Sequence, residues 1–233
     1  MSVLEQHIID AGYANRIFTE RQLAEWIGGS DARRYGLVNR ALKDGSLIRV
    51  KRGLYLLGAA HREGRIHPFT VAQALLPGSY ISFETALSHH GWIPETVFAS
   101  ASVTPGRKTI EREHAVFGQF TFHPLALHDY QFLTSVERYK HAELTGLIAR
   151  PLRALMDLVA LRKEHWSGLD WLRHGLRVEE TQLTALRRKD FTALATVYKH
   201  KATNEFLKAL ETAVFELKAA NKAKVRTPAG DIR

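Results

Sequence analysis

The 233-residue chain contains no cysteine. A disulfide scaffold, a thiolate metal centre and a cysteine nucleophile are therefore excluded. No stretch approaches the length of an apolar transmembrane span. Glu5 and Asp10 stand where a signal peptide needs an apolar run. The expectation is a cytoplasmic protein with no membrane partner. There is no HExxH pair, no phosphate-binding P-loop, no Gly-x-Ser-x-Gly elbow and no dinucleotide fingerprint. Internal repeats and low-complexity tracts are lacking too. Acid is scarce, with 24 Asp and Glu against 33 Lys and Arg, so the formal charge is +9. The pI of 9.8 favours an anionic partner: nucleic acid first, a membrane surface second, an acidic protein third. Hydrophobic residues make up 45%, ample for a packed core, and the length allows one large domain or two modest ones.

What is present is concentrated between Phe18 and Leu57. Thr19 is a good N-cap, Gln22 stands where a capping-box residue reaches back, and Phe18 and Leu23 can close over the turn. Gly28-Gly29 stops this helix and Ser30 caps a second one, predicted over 31–43. At 100° per residue, Val38, Ala41 and Leu42 share one arc. Arg33, Gly36, Arg40 and Lys43 share the opposite, basic arc. Asp44-Gly45 ends the helix. Leu47-Ile48-Arg49-Val50 and Leu54-Tyr55-Leu56-Leu57 read as two strands around Lys51-Arg52-Gly53. Helix, turn, helix and ribbon in this order is the order of a winged helix-turn-helix, whose second helix enters the major groove. Between Asp31 and Gly53 seven cations face two acids, a net +5 and more than half of the chain's formal charge.

The spacing predicts a first helix over 2–11, with Leu4 and Ile8 on its apolar face, and a polar linker over 61–65. Helices are expected over 67–76 and 83–90, and strands over 97–103, 109–117, 119–122, 130–136 and 142–148. The middle of the chain thus reads as a small, mainly antiparallel sheet with helices ahead of it. From Pro151 the texture is helical, through 169–175, 178–188 and 191–199 to a long helix over 204–220. There Phe206, Leu207, Leu210, Val214 and Leu217 form an amphipathic stripe. Lys218, Lys222, Lys224 and Arg226 make its end basic, and Thr227 to Gly230 should fray.

Chemistry is harder to find. None of the twelve histidines stands one helical turn from another, and the adjacent His89 and His90 point about 100° apart. Glu111 and Glu113 fall on one face of a predicted strand, with Asp129 and Glu143 near the ends of neighbouring ones. Carboxylates so placed could hold Mg²⁺ for nuclease chemistry. Arg112 between the glutamates fits ordinary surface patterning equally well.

The hairpin Leu47 to Leu56, LIRVKRGLYL, resembles the wing of the AbiEi-like antitoxins. Tyr80 to Gly91, YISFETALSHHG, resembles the signature that opens that family's second domain. Ala99 to Val103 and Pro151 to Asp157, PLRALMD, are also similar to it, and the resemblance covers roughly 18–217. It implies a type IV antitoxin of a bacterial abortive-infection system. Such a protein represses its own promoter at inverted repeats in double-stranded DNA and counters a nucleotidyltransferase-like toxin encoded nearby. The expected fold is α+β: a winged helix-turn-helix over 1–60, a mixed antiparallel-sheet and helical antitoxin domain over 66–220, and a basic flexible tail over 221–233. No enzymatic activity, cofactor or metal is expected. The expected DNA-binding residues are Arg33, Arg34, Asn39, Arg40, Lys43, Arg49, Lys51 and Arg52. Arginine would read guanine, Asn39 adenine, and Lys43 phosphate, with Lys51 and Arg52 at the wing tip. The competing readings are a metal-dependent nuclease with a winged-helix targeting module, a regulator without a toxin, and an interaction protein with an acidic partner.

Overall fold

The computed structural model describes residues 2–62, 64–141 and 144–226. The chain is α+β. Helix α1 (Val3–Asp10) starts in a capping box between Ser2 and Glu5. A two-residue strand β1 (Phe18–Thr19) leads into α2 (Glu20–Ile27), whose capping box joins Thr19 and Gln22. Such a cap contributes about 1 kcal/mol. Gly28 and Gly29 both take positive φ, and Ser30 caps α3 (Asp31–Lys43). Strands β2 (Leu47–Lys51) and β3 (Leu54–Leu57) close a three-stranded antiparallel sheet in the order β1-β3-β2.

The near-continuous apolar run of this hairpin follows from burial on both faces. Leu47, Tyr55 and Leu57 join Leu4, Ile8, Phe18, Leu23 and Ala41 in a small core with α1 to α3. Val50 and Leu56 point the other way, into the large core of the remaining chain. A bulge between Arg49 and Lys51 interrupts the alternation just before the turn.

The large core is built around a six-stranded sheet, β6-β7-β5-β4-β9-β8. Its strands are β4 (Tyr80–Ile81), β5 (Ser100–Thr104), β6 (Ile110–His114), β7 (Gly118–Pro124), β8 (Val136–His141) and β9 (Leu144–Ala149). The sheet is mixed rather than mainly antiparallel, because β5 runs parallel to β7 and β4 parallel to β9. Helices α4 (Pro68–Leu75) and α5 (Phe83–His89) lie against it. They are followed by α6 (Pro151–Arg162), α7 (Glu180–Ala185), α8 (Arg188–Leu194) and α9 (Lys201–Arg226).

Several further expectations are corrected. The strand expected over 130–136 begins only at Val136, and residues 130–135 are not strand. A 3-10 turn spans Asp129–Gln131, and Ser135 sits at φ 55°. The carbonyls of Gln131, Phe132 and Thr134 turn inward to accept from the Arg153 guanidinium, so they are unavailable to a ladder. The strand comes one step later, as β8. Residues 171–175 form a π-helical turn rather than an α-helix. The helix expected over 178–188 is shorter, and α8 begins earlier than expected. Finally α9 is helical through Arg226, past residue 220 where a tail was expected. Residues 227–230 lie outside the described residues. No described helix is long and apolar enough to cross a membrane.

Candidate nucleic-acid interface

A groove of about 720 Å³ opens between α2, α3 and the β2–β3 hairpin. Arg34, Tyr35, Val38 and Asn39 of α3 form one wall, Glu20, Arg21 and Ala24 of α2 another, and Arg49, Arg52 and Tyr55 the third. The hairpin is held there from two sides. The Glu20 N–H donates to the Gly53 carbonyl at 2.9 Å. Gly53 turns the chain at φ 76°, a conformation that glycine adopts without a Cβ penalty. At the other end Gly58 passes against the 45–46 backbone. A Cβ there would stand 2.1 Å from the Gly45 carbonyl oxygen.

Four of the eight expected residues, Arg34, Asn39, Arg49 and Arg52, line this groove together. Arg34 is the least free of them, since its guanidinium donates to the Gly29 carbonyl and to the Asp31 carboxylate. The Arg49 guanidinium carbon lies 6.0 Å from the Tyr55 ring centroid. Arg33 and Arg40 line a different, smaller groove between α3 and α1, beside Ser2, Val3 and His7. Arg40 Nε also donates to the Gly36 carbonyl at 3.3 Å. Lys43 is exposed at the end of α3.

Lys51 is turned away from the groove. Strand alternation would put it beside Arg49, but the bulge breaks that alternation. Its Nζ donates to the Leu75 carbonyl at the end of α4, 2.9 Å away, and burial lowers its pKa. A second bond fixes the same junction. His114 Nδ1 accepts from the Val116 N–H, which leaves Nε2–H to donate to the Arg49 carbonyl at 3.0 Å.

Two groove residues escaped the sequence reading, Arg21 and Tyr35. Tyr35 is 73% exposed. A helical wheel places it within about 60° of Val38 and Leu42, on the arc expected to be buried. The groove undercuts that arc at the start of α3, so the ring stands in solvent.

The segments Tyr80–Gly91 and Pro151–Asp157 meet in the large core. The Asp157 carboxylate, fully buried, accepts from Arg153 Nε (2.8 Å), Ser82 Oγ (2.7 Å), Tyr80 OH (3.0 Å) and Tyr198 OH (2.8 Å). Arg153 Nη2 donates to Tyr80 OH at 2.6 Å. Burial first, and the Asp157 charge second, push both phenols well above their ordinary value, so they remain donors at neutral pH. The network is closed and satisfied, and its members hold strand β4, helix α6 and the turn before α9 together.

Glu111 and Glu113 are exposed on the edge strand β6, and Asp129 lies 3.8 Å from Lys199. Glu143 lies outside the described residues. Among the described residues no three His, Asp or Glu side chains gather as a metal site. No family model and no curated protein matches the chain.

Proposed function

We propose that the N-terminal unit is a winged helix-turn-helix that binds double-stranded DNA, and that the chain is a transcriptional repressor. One observation carries this reading: the groove between α3 and the hairpin is lined by Arg21, Arg34, Arg49 and Arg52 and sits on a helix–strand–helix–helix–hairpin unit with a β1-β3-β2 sheet. That element order lets α3 enter a major groove while the hairpin rests on the adjoining backbone. The groove cations would neutralise phosphates, and the α3 side chains would meet base edges.

The proposed physiological role is that of an AbiEi-like antitoxin repressing its own promoter at inverted repeats, with a nucleotidyltransferase-like toxin as partner and no catalysis of its own. The support is the resemblance of the hairpin and of the two core segments, which the Asp157 network joins. The test for DNA binding is a gel shift of the full chain on the duplex upstream of its own gene, with and without Mg²⁺. Retention in both is expected. Arg52→Ala should weaken operator and scrambled duplex about equally and reduce the salt slope by about one. Mg²⁺-dependent cleavage of the probe would favour the nuclease reading instead. For the antitoxin role, co-expression with the neighbouring gene should relieve that gene's toxicity, and no relief would remove the role.

A further inference from the structure

The side chains of α3 are not equally free to meet a base. Guanine is read most often by an unencumbered arginine fork that reaches O6 and N7 together. The Arg34 fork is occupied by the Gly29 carbonyl and the Asp31 carboxylate, and its side chain is only 25% exposed. Arg33 and Arg40 line the groove on the α1 side of the helix, and Arg40 Nε is bonded to its own helix at Gly36. Along the groove that faces the hairpin, α3 therefore presents Tyr35 and Asn39. They stand one turn apart on the same side, so they reach neighbouring points of one surface. Asparagine carries the donor and acceptor that match adenine N6 and N7, and an apolar ring matches the thymine C5-methyl group in the same or the next pair. A tyrosine 73% exposed among arginines gains contact only when a ligand covers it.

We infer that Tyr35 and Asn39 together make α3 a reader of A·T pairs, with Asn39 on the adenine edge and Tyr35 on a thymine methyl group. This rests on the DNA-binding proposal above and gives it a sequence preference. Arg21, Arg49 and Arg52 around the pair supply backbone attraction without choosing a base.

The test uses the full chain and the best-bound duplex selected from a random-sequence pool. Each thymine is replaced in turn by deoxyuridine, which deletes only the methyl group, and each adenine by 7-deazaadenine, which deletes only N7. The wild type should lose roughly fivefold or more in affinity at one thymine and at one adenine. Tyr35→Ala should become indifferent to the uracil duplex while Tyr35→Phe keeps the wild-type response. Asn39→Ala should become indifferent to the deazaadenine duplex. Full sensitivity in Tyr35→Ala, or no sensitivity in the wild type, would overturn the inference. If the wild type still binds with a steep salt dependence that Arg52→Ala reduces, the DNA-binding proposal survives that loss. No binding to any duplex would sink both.

Discussion

At the scale of single residues, the most consequential side chain is a buried one. Arg153 and Asp157 are both 0% exposed, so neither charge has water to fall back on. Breaking such a pair from one side leaves an uncompensated charge, which costs about 3–5 kcal/mol. Arg153→Met should therefore lower the urea midpoint severely. Tyr198→Phe removes one donor of the four on Asp157 and should cost about 1.5–3 kcal/mol, the range for a hydrogen bond to a charged group. Equal stability of either variant and the wild type would show that the network is dispensable. Glu5 offers a pH-dependent counterpart. Burial would raise its pKa. The Ser2 backbone and hydroxyl, Ser46 and the His61 charge outweigh that and hold it below the ordinary glutamate value. A carboxyl with a depressed folded pKa stabilises fully above its unfolded pKa, and that contribution is lost as pH falls through the folded pKa. The stability gap between wild type and Glu5→Gln should be widest near neutrality and shrink under acid. A gap that is constant across pH would show that the Glu5 charge plays no part.

At the scale of elements, the β2–β3 hairpin is decided by its turn. Gly53 needs positive φ, and its carbonyl takes the Glu20 N–H. Gly53→Val strains the turn and disturbs the bond that seats the hairpin beside α2. We expect weaker binding to specific and non-specific duplex alike, with α3 intact by circular dichroism. Unchanged affinity would mean that the hairpin does not touch the DNA. Several elements were legible from local pattern: α2 and α3 with their caps, the glycine stops and the apolar stripe of α9. The segment 130–135 was not. Its alternation suits a strand, but its carbonyls serve a guanidinium supplied from α6, and no local pattern contains that partner.

At the scale of the whole molecule, the N-terminal unit is bolted to the rest of the chain. Val50 and Leu56 enter the large core, Lys51 bonds to Leu75, and His114 bonds to Arg49. The hairpin thus belongs to both halves. Lys51→Ala should leave DNA affinity within about twofold, since its ammonium points away from the groove. It should speed hydrogen exchange at the end of α4 and along β2, where the junction loosens. A DNA loss as large as that of Arg52→Ala, with its salt signature, would return Lys51 to the interface. A fragment beginning at Ile66 would uncover the apolar surface that Val50 and Leu56 now protect, so it should bind a hydrophobic dye more strongly than the full chain.

Composition and local periodicity alone determined the α+β class, the basic N-terminal block, the capped helices and the apolar hairpin. These follow from interactions between residues a few positions apart, whose partners are present in the local string. Tertiary structure alone decided the mixed strand order, the turn of Lys51 toward Leu75, the division of the α3 arginines between two grooves and the exposure of Tyr35. In each case the deciding partner comes from another element. A carbonyl from α4, a helix wall from α1 and a groove undercut by α2 have no signature in the sequence next to the residue they govern.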